Sequence, residues 1–208
     1  RTFFGQLSKN RPAKTLLAGY CAHNWELIGM WSWAPSIITA SFVLSGTSTA
    51  NASQWSAQFV MVLHLCGAIA ASTMGALSDR VGRRMVLLWT ALIATILSFS
   101  VGWTVTFSPV LVAGLMIIYA FFALGDSPVL STALAEKIEP ALLGPVLALR
   151  SLLGFIVAAI APVTVGLVID TLVGVGFSDT VVWGTAFGTL GLGGALAFWC
   201  AMKISKDF

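Results

Sequence analysis

Six polar side chains interrupt the apolar runs of this 208-residue chain: His23, Asn24, Glu26, His64, Asp126 and Arg150. Imidazoles, carboxylates and a guanidinium in apolar surroundings have a short list of uses. They hold and release protons, pair as ions, or bind a charged solute. His23 and Glu26 stand three residues apart, which on a helix gives them one face. A His-x-x-Glu pair raises the question of a metal, but metal sites in helix bundles draw ligands from several helices. Here only His64 can join the pair and no second carboxylate stands in register, so neither metal nor cofactor is expected. The remaining readings are a hydrogen-bonded polar cluster that fixes its helix and a site of proton exchange. Trp25, Trp31 and Trp33 flank this segment, as packing groups or interface anchors.

The elements that must position these groups are set by composition. Hydrophobic residues make up 58 % of the chain and charged residues only 9 %, against about 25 % charged in a soluble domain. So few charges cannot cover a water-facing surface, and the net charge of +3 carries no nucleic-acid reading. Six hydrophobic runs are legible, at 15–44, 54–78, 85–107, 110–135, 141–169 and 180–202. Each reaches the ~20 residues that a helix needs to cross a bilayer core. No period-2 alternation suggests a β-barrel. The expected class is an all-α membrane protein of six transmembrane helices, with 1–14 as a basic lead, 15–202 as the membrane domain and 203–208 as a tail. Pro35 and Pro162 are expected to break spans one and five. Cys21, Cys66 and Cys200 lie within spans at no metal or redox spacing and read as inert buried thiols.

Orientation follows from the cations. Ten of the eleven lysines and arginines lie on one side of this arrangement: Arg1, Lys9, Arg11 and Lys14 in the lead, Arg80, Arg83 and Arg84 between spans two and three, Lys137 between four and five, and Lys203 and Lys206 in the tail. The opposite loops have none, an asymmetry that predicts both termini in the cytoplasm. The eleventh cation, Arg150, is inside span five. Counted from the basic ends at ~1.5 Å per residue, Glu26 lies about 18 Å deep, Asp126 about 15 Å and Arg150 about 16 Å, with His64 somewhat deeper. Asp126 and Arg150 sit on spans joined by a short loop. At equal depth they can form a static ion pair or a charge site for solute or proton, or they can face apart.

The densest charge cluster is Gly75-Ala76-Leu77-Ser78-Asp79-Arg80-Val81-Gly82-Arg83-Arg84, with four of nineteen formal charges in its last six residues. It resembles the loop signature of major facilitator superfamily transporters, Gly-x-Leu-x-Asp-Arg-x-Gly-Arg-Arg, at Gly75, Leu77, Asp79, Arg80, Gly82, Arg83 and Arg84. Physically, Asp79 can accept bonds from a neighbouring helix N-terminus, and Arg83 or Arg84 can pair with a carboxylate at the inner end of span four, where Glu136 is the candidate. The resemblance implies that such a network latches one state of a secondary transporter. It implies a small-molecule substrate moved by alternating access in the plasma (inner) membrane, protons as coupling ion, no enzymatic activity and no cofactor. The resemblance covers one six-span half of a twelve-span transporter. The basic lead and tail and the poor match of Ala161-Pro162-Val163-Thr164-Val165-Gly166 to a first-half motif favour the C-terminal half. A chain that opens on Arg1 is expected to be a piece, partnered by another six-span half or a second copy. Arg150 favours an organic anion, while Asp126 and Glu26 keep a cationic drug open. The alternative is a non-transporting scaffold, or a membrane enzyme using His23, Glu26 and His64. No nucleotide-binding P-loop is present.

Small residues recur at four-residue spacing: Gly67, Ala71 and Gly75 in span two, Gly154, Ala158, Pro162 and Gly166 in span five, Gly184 and Gly188 in span six. They read as close-packing stripes.

The charge asymmetry makes a direct prediction. A single cysteine placed at position 82 should react with an impermeant thiol reagent only from the cytoplasmic side, and one at position 51 only from outside. Labelling of position 82 from outside the cell overturns the orientation.

Overall fold

A computed structural model describes residues 3–204, with side chains from residue 5; Arg1 and Lys206 of the basic lead and tail lie outside the described residues. A short helix α1 (Phe3–Leu7) leads into six long ones: α2 (Arg11–Leu44), α3 (Thr49–Val81), α4 (Arg83–Val101, extended by a 3₁₀ turn at Gly102–Thr104), α5 (Pro109–Glu136), α6 (Pro140–Val175) and α7 (Asp179–Lys203). All six are long and apolar enough to cross a membrane. Among the described residues there is no strand. The chain is an all-α, multi-pass membrane protein.

Local chemistry explains the boundaries. The first long helix starts earlier than the hydrophobic run, because the Asn10 side chain caps it by accepting from the Ala13 N–H at 3.0 Å and Pro12 occupies its first turn. The connection between α3 and α4 is shorter than a loop. Asp79 and Arg80 are in the last turn of α3, Arg83 and Arg84 in the first of α4, and Gly82 alone, at φ 92°, turns the chain. That φ suits glycine and strains other residues. The prolines do not act as expected: α2 runs unbroken through Pro35 and α6 through Pro162. In lipid a helix that stopped at a proline would leave still more backbone groups unsatisfied, so both helices continue, and side chains from neighbouring spans bond to the prolines' own carbonyls. Ser56 Oγ donates to the Pro35 carbonyl at 2.8 Å, and Trp33 Nε1 donates to the Pro162 carbonyl at 2.9 Å.

The packing order differs from the chain order. α3 lies on α5, α4 on α7, and α2 is central, touching α3, α5, α6 and α7. The small-residue stripes face these partners: Gly67 sits against Leu124 of α5, Gly166 against Trp33 of α2, and Gly184 against Trp103 beside α4. Both described ends of the chain, Glu136 and the Gly82 turn gather at one end, where Asn10 Nδ2 donates to the Lys137 carbonyl at 2.9 Å and Arg11, Lys137 and Lys203 border one cavity. We call it the basic end. Two apolar cores are stacked along the bundle. One, near the basic end, contains Leu16, Leu87, Leu134 and Ala201. The other contains Met30, Ile37, Met116, Phe187 and Leu190. Between them lie the buried polar residues His23, Asn24, Glu26, Thr90 and Asp126.

Close approach can be tested at two glycines. A Cβ at Gly102 would run into the backbone of Trp183 and Gly184, whereas one at Gly75 would meet only Pro128 at 3.9 Å. Gly102→Ala should therefore cost about 1–3 kcal/mol through overpacking, and Gly75→Ala nothing measurable. Thermal unfolding in detergent, followed by size exclusion, reads both; equal melting of the two variants contradicts the packing described.

Candidate functional site

The polar layer is built on α2 and completed by α5, α4 and α7. His23 and Glu26 share a face of α2, as their spacing predicts, and both are buried. His23 Nδ1 lies 2.8 Å from Asp126 Oδ1, the separation of an ion pair without the alignment of a hydrogen bond. His23 Nε2 has no partner, and the ring packs at 5.9 Å from that of Tyr20. Glu26 is close enough to Asp126 to feel its charge. Its carboxylate fills the space over Gly194 of α7: a Cβ there would stand 2.6 Å from Oε1 and 2.6 Å from Thr95 Oγ1.

Glu26 also belongs to a chain of hydroxyls. The Tyr119 hydroxyl is 3.1 Å from Glu26 Oε1 and 2.9 Å from Ser98 Oγ, and Ser98 Oγ is 3.2 Å from the Phe187 carbonyl. Each hydroxyl carries one proton. If Ser98 donates to Phe187 and Tyr119 donates to Ser98, the contact between Glu26 and Tyr119 is filled only by a proton on Glu26. If Glu26 is ionised, Tyr119 donates to it and Ser98 must turn to Tyr119 and leave Phe187. The charge of Glu26 is thereby tied to the direction of a three-bond chain reaching α7.

Arg150 does not meet Asp126. The short connection between α5 and α6 suggested neighbours, but α6 packs on α2 instead. Arg150 Nη2 donates to Ser131 Oγ at 2.7 Å, and its guanidinium stacks 3.7 Å over the Tyr20 ring. Gly154, one turn further along α6, lies against Tyr20 and Asn24 and lets the helices come this close. Asn24 itself turns back to donate to the Tyr20 carbonyl at 3.0 Å. Arg150 is only partly buried, its Nε has no partner, and among the described residues no carboxylate pairs with it. His64 stands outside the layer, exposed on α3 with its ring edge-on to Trp31 at 5.2 Å. Among the described residues no three His, Cys, Asp or Glu side chains are arranged to share a metal ion. Trp25 and Trp33 are packing groups with their N–H on backbone carbonyls of α7 and α6.

At the basic end, Arg83 donates to Asp79 and to Ser78 Oγ (2.6 Å), and its Nη2 reaches Glu136 Oε1 at 3.0 Å. Asp79 thus takes its contact from a side chain and not from a helix N-terminus. Arg83 is the one of the two candidate arginines that meets Glu136. The pairs oppose unfavourable helix dipoles, since Asp79 closes α3 and Arg83 opens α4. Asp79 and Glu136 are 64 % and 47 % exposed as side chains, so each pair contributes about 0–1 kcal/mol.

Tyr119 and Ser98 were not among the residues that the sequence singles out. Tyr119 carries a usable signal: it is one of two tyrosines in the chain and stands seven residues, two turns, before Asp126. Ser98 carries none. Compared with known proteins, the chain matches no family model, no curated protein and no solved structure.

Double-mutant cycles test the pairing. His23→Ala with Asp126→Ala should show a coupling of about 0.5–3 kcal/mol in detergent unfolding, while Asp126→Ala with Arg150→Ala should add within about 0.5 kcal/mol. A strong Asp126–Arg150 coupling contradicts the geometry.

Proposed function

We propose that this protein is a secondary active transporter that moves a small organic anion across the plasma membrane by alternating access, coupled to protons. The observation that carries this reading is the buried ionisable layer. His23, Glu26 and Asp126 sit between two apolar cores in a membrane bundle, and ionisable groups at such depth mark solute or proton sites. The layer separates two roles. The two carboxylates are buried and bound to protonatable partners, which suits proton exchange. Arg150 is a half-buried cation that, among the described residues, no carboxylate neutralises, which suits an anionic solute.

The basic-end network supports a conformational cycle. Arg83 ties the end of α3 and the start of α4 to the end of α5. Weak exposed pairs suit a latch: together they bias a two-state equilibrium of a few kcal/mol without locking it. The loop signature's resemblance to major facilitator transporters fits this role, and with it both termini in the cytoplasm and a bundle that works with a second six-span half, as the C-terminal member, or with a second copy. No enzymatic step or cofactor enters the proposal.

Reconstituted liposomes test it. A pH gradient should drive uptake of labelled small organic anions and not of organic cations. Arg150→Ala should reduce anion flux by about tenfold or more, the loss of a charge-assisted contact of ~1.5–3 kcal/mol, and Arg150→Lys should retain part of it. Asp79→Asn should lower flux with insertion intact. Absence of flux for either class of solute at normal insertion rejects transport in favour of a scaffold; cation flux that ignores Arg150 rejects the anion assignment.

A further inference from the structure

Asp126 faces more than His23. Its side chain also borders a small cavity with about 10 Å³ of room for a water centre, enclosed by α2, α4, α5 and α7. That is the space of a single water. The cavity runs from Asp126 past Gly19 towards Thr15, Leu16 and Ile204. The same three residues, Thr15, Leu16 and Ile204, form one wall of a second cavity of about 250 Å³ at the basic end, bordered by Arg11, Lys137 and Lys203. Vestibule and inner cavity thus share these three residues, and the partition between them is a single layer of side chains. The inner end is polar where it needs to be. Asp126 is 5 % exposed, and its Oδ1 has no aligned hydrogen bond. A water in that space would find an acceptor in the Asp126 carboxylate, which no aligned hydrogen bond occupies at Oδ1. Along the wall the Thr15 hydroxyl, whose proton goes to the Arg11 carbonyl at 3.1 Å, keeps lone pairs free to accept.

We infer that water and protons reach Asp126 from the basic end through this passage inside the bundle, past Thr15, and not from the open side of α2 and α6 where Arg150 lies. The proposal rests on the proton-coupled reading above and assigns its proton route. Groups that can titrate around Asp126 are His23 and Glu26 from α2, Tyr119 from α5 itself and the Cys200 thiol from α7. The ionisable residues of α4, Arg83 and Arg84, are confined to its first turn at the basic end. The proton moves from a vestibule water to the cavity water and on to Asp126, with no bond made or broken except O–H. From Asp126 it can pass to His23 Nδ1 at 2.8 Å. Solute and proton then approach the layer on different sides: the anion at Arg150, the proton behind it.

The test reads protonation directly and needs no substrate. The protein in lipid vesicles is given a rapid drop in pH, and the carboxylic C=O stretch is followed by infrared difference spectroscopy; Asp126→Asn identifies the band of Asp126. Thr15→Leu, which fills the wall with an apolar branch, should slow its appearance by about tenfold or more, because it takes the space that one water needs. Thr15→Ser should keep the wild-type rate, as should Ser127→Leu on α5. Should Thr15→Leu fail to fold, Gly19→Ala replaces it, since the added Cβ stands 3.3 Å from Cys200 Cβ and still narrows the cavity. Wild-type rates in the plugged variant, a slow rate in Ser127→Leu, or no titrating Asp126 band while the protein stays folded each overturn the passage. Wild-type vesicles that show the band and its dependence on Thr15 but no pH-driven solute flux leave the passage standing and reject the transport reading; a flux that survives with the passage disproved does the reverse.

Discussion

An ionisable side chain in a membrane bundle must be satisfied by the protein, because lipid offers nothing. This chain places His23, Glu26 and Asp126 in one buried layer, and much of the remaining architecture can be read as the means of holding them there. Apolar cores flank the layer on both sides along the bundle. The central position of α2 gives its polar face four neighbouring helices to draw on. Gly194 makes room for the Glu26 carboxylate, and Tyr119 supplies the hydroxyl that a buried oxygen requires. Even so the layer is not fully satisfied: His23 Nε2 has no partner. An unpartnered ring nitrogen in so costly a place is uncommon in a folded protein.

The ion pairs at the basic end are governed by the opposite economy. They are exposed and individually weak. Water can replace the partners of these exposed charges, whereas it does not reach those of the buried layer. The two groups also use arginine differently. Arg83 forks between two carboxylates on different helices, while Arg150 rests on an aromatic face and a hydroxyl, neither of which neutralises it.

The sequence made the six spans legible, because hydrocarbon thickness and the scarcity of charge leave few alternatives. It also showed that His23 and Glu26 share a face, since helical spacing is local, and it named Glu136 as a partner for Arg83 or Arg84, since both ends of that contact lie at span boundaries. Packing order was not legible. Arg150 and Asp126 have equal depth and adjacent spans, yet α6 turns to α2, and connection length alone says nothing of that choice. The prolines misled for another reason: in lipid a helix that carries a proline through leaves fewer backbone groups unsatisfied than one that stops there. Tyr119 was hidden in an apolar run, where an aromatic residue reads as core until its hydroxyl is given neighbours.

Gly82 is the whole connection between α3 and α4, and a joint of one residue has no slack. The two helices cannot slide past each other along their axes; they can only swing about the joint. The 33 residues of α3 make it a lever of about 50 Å at ~1.5 Å per residue. A swing of about 10° at Gly82 would carry its far end, near Thr49, through roughly 9 Å on that helical rise. A small rotation at one face of the bundle would thereby be multiplied into a displacement of several ångströms at the other.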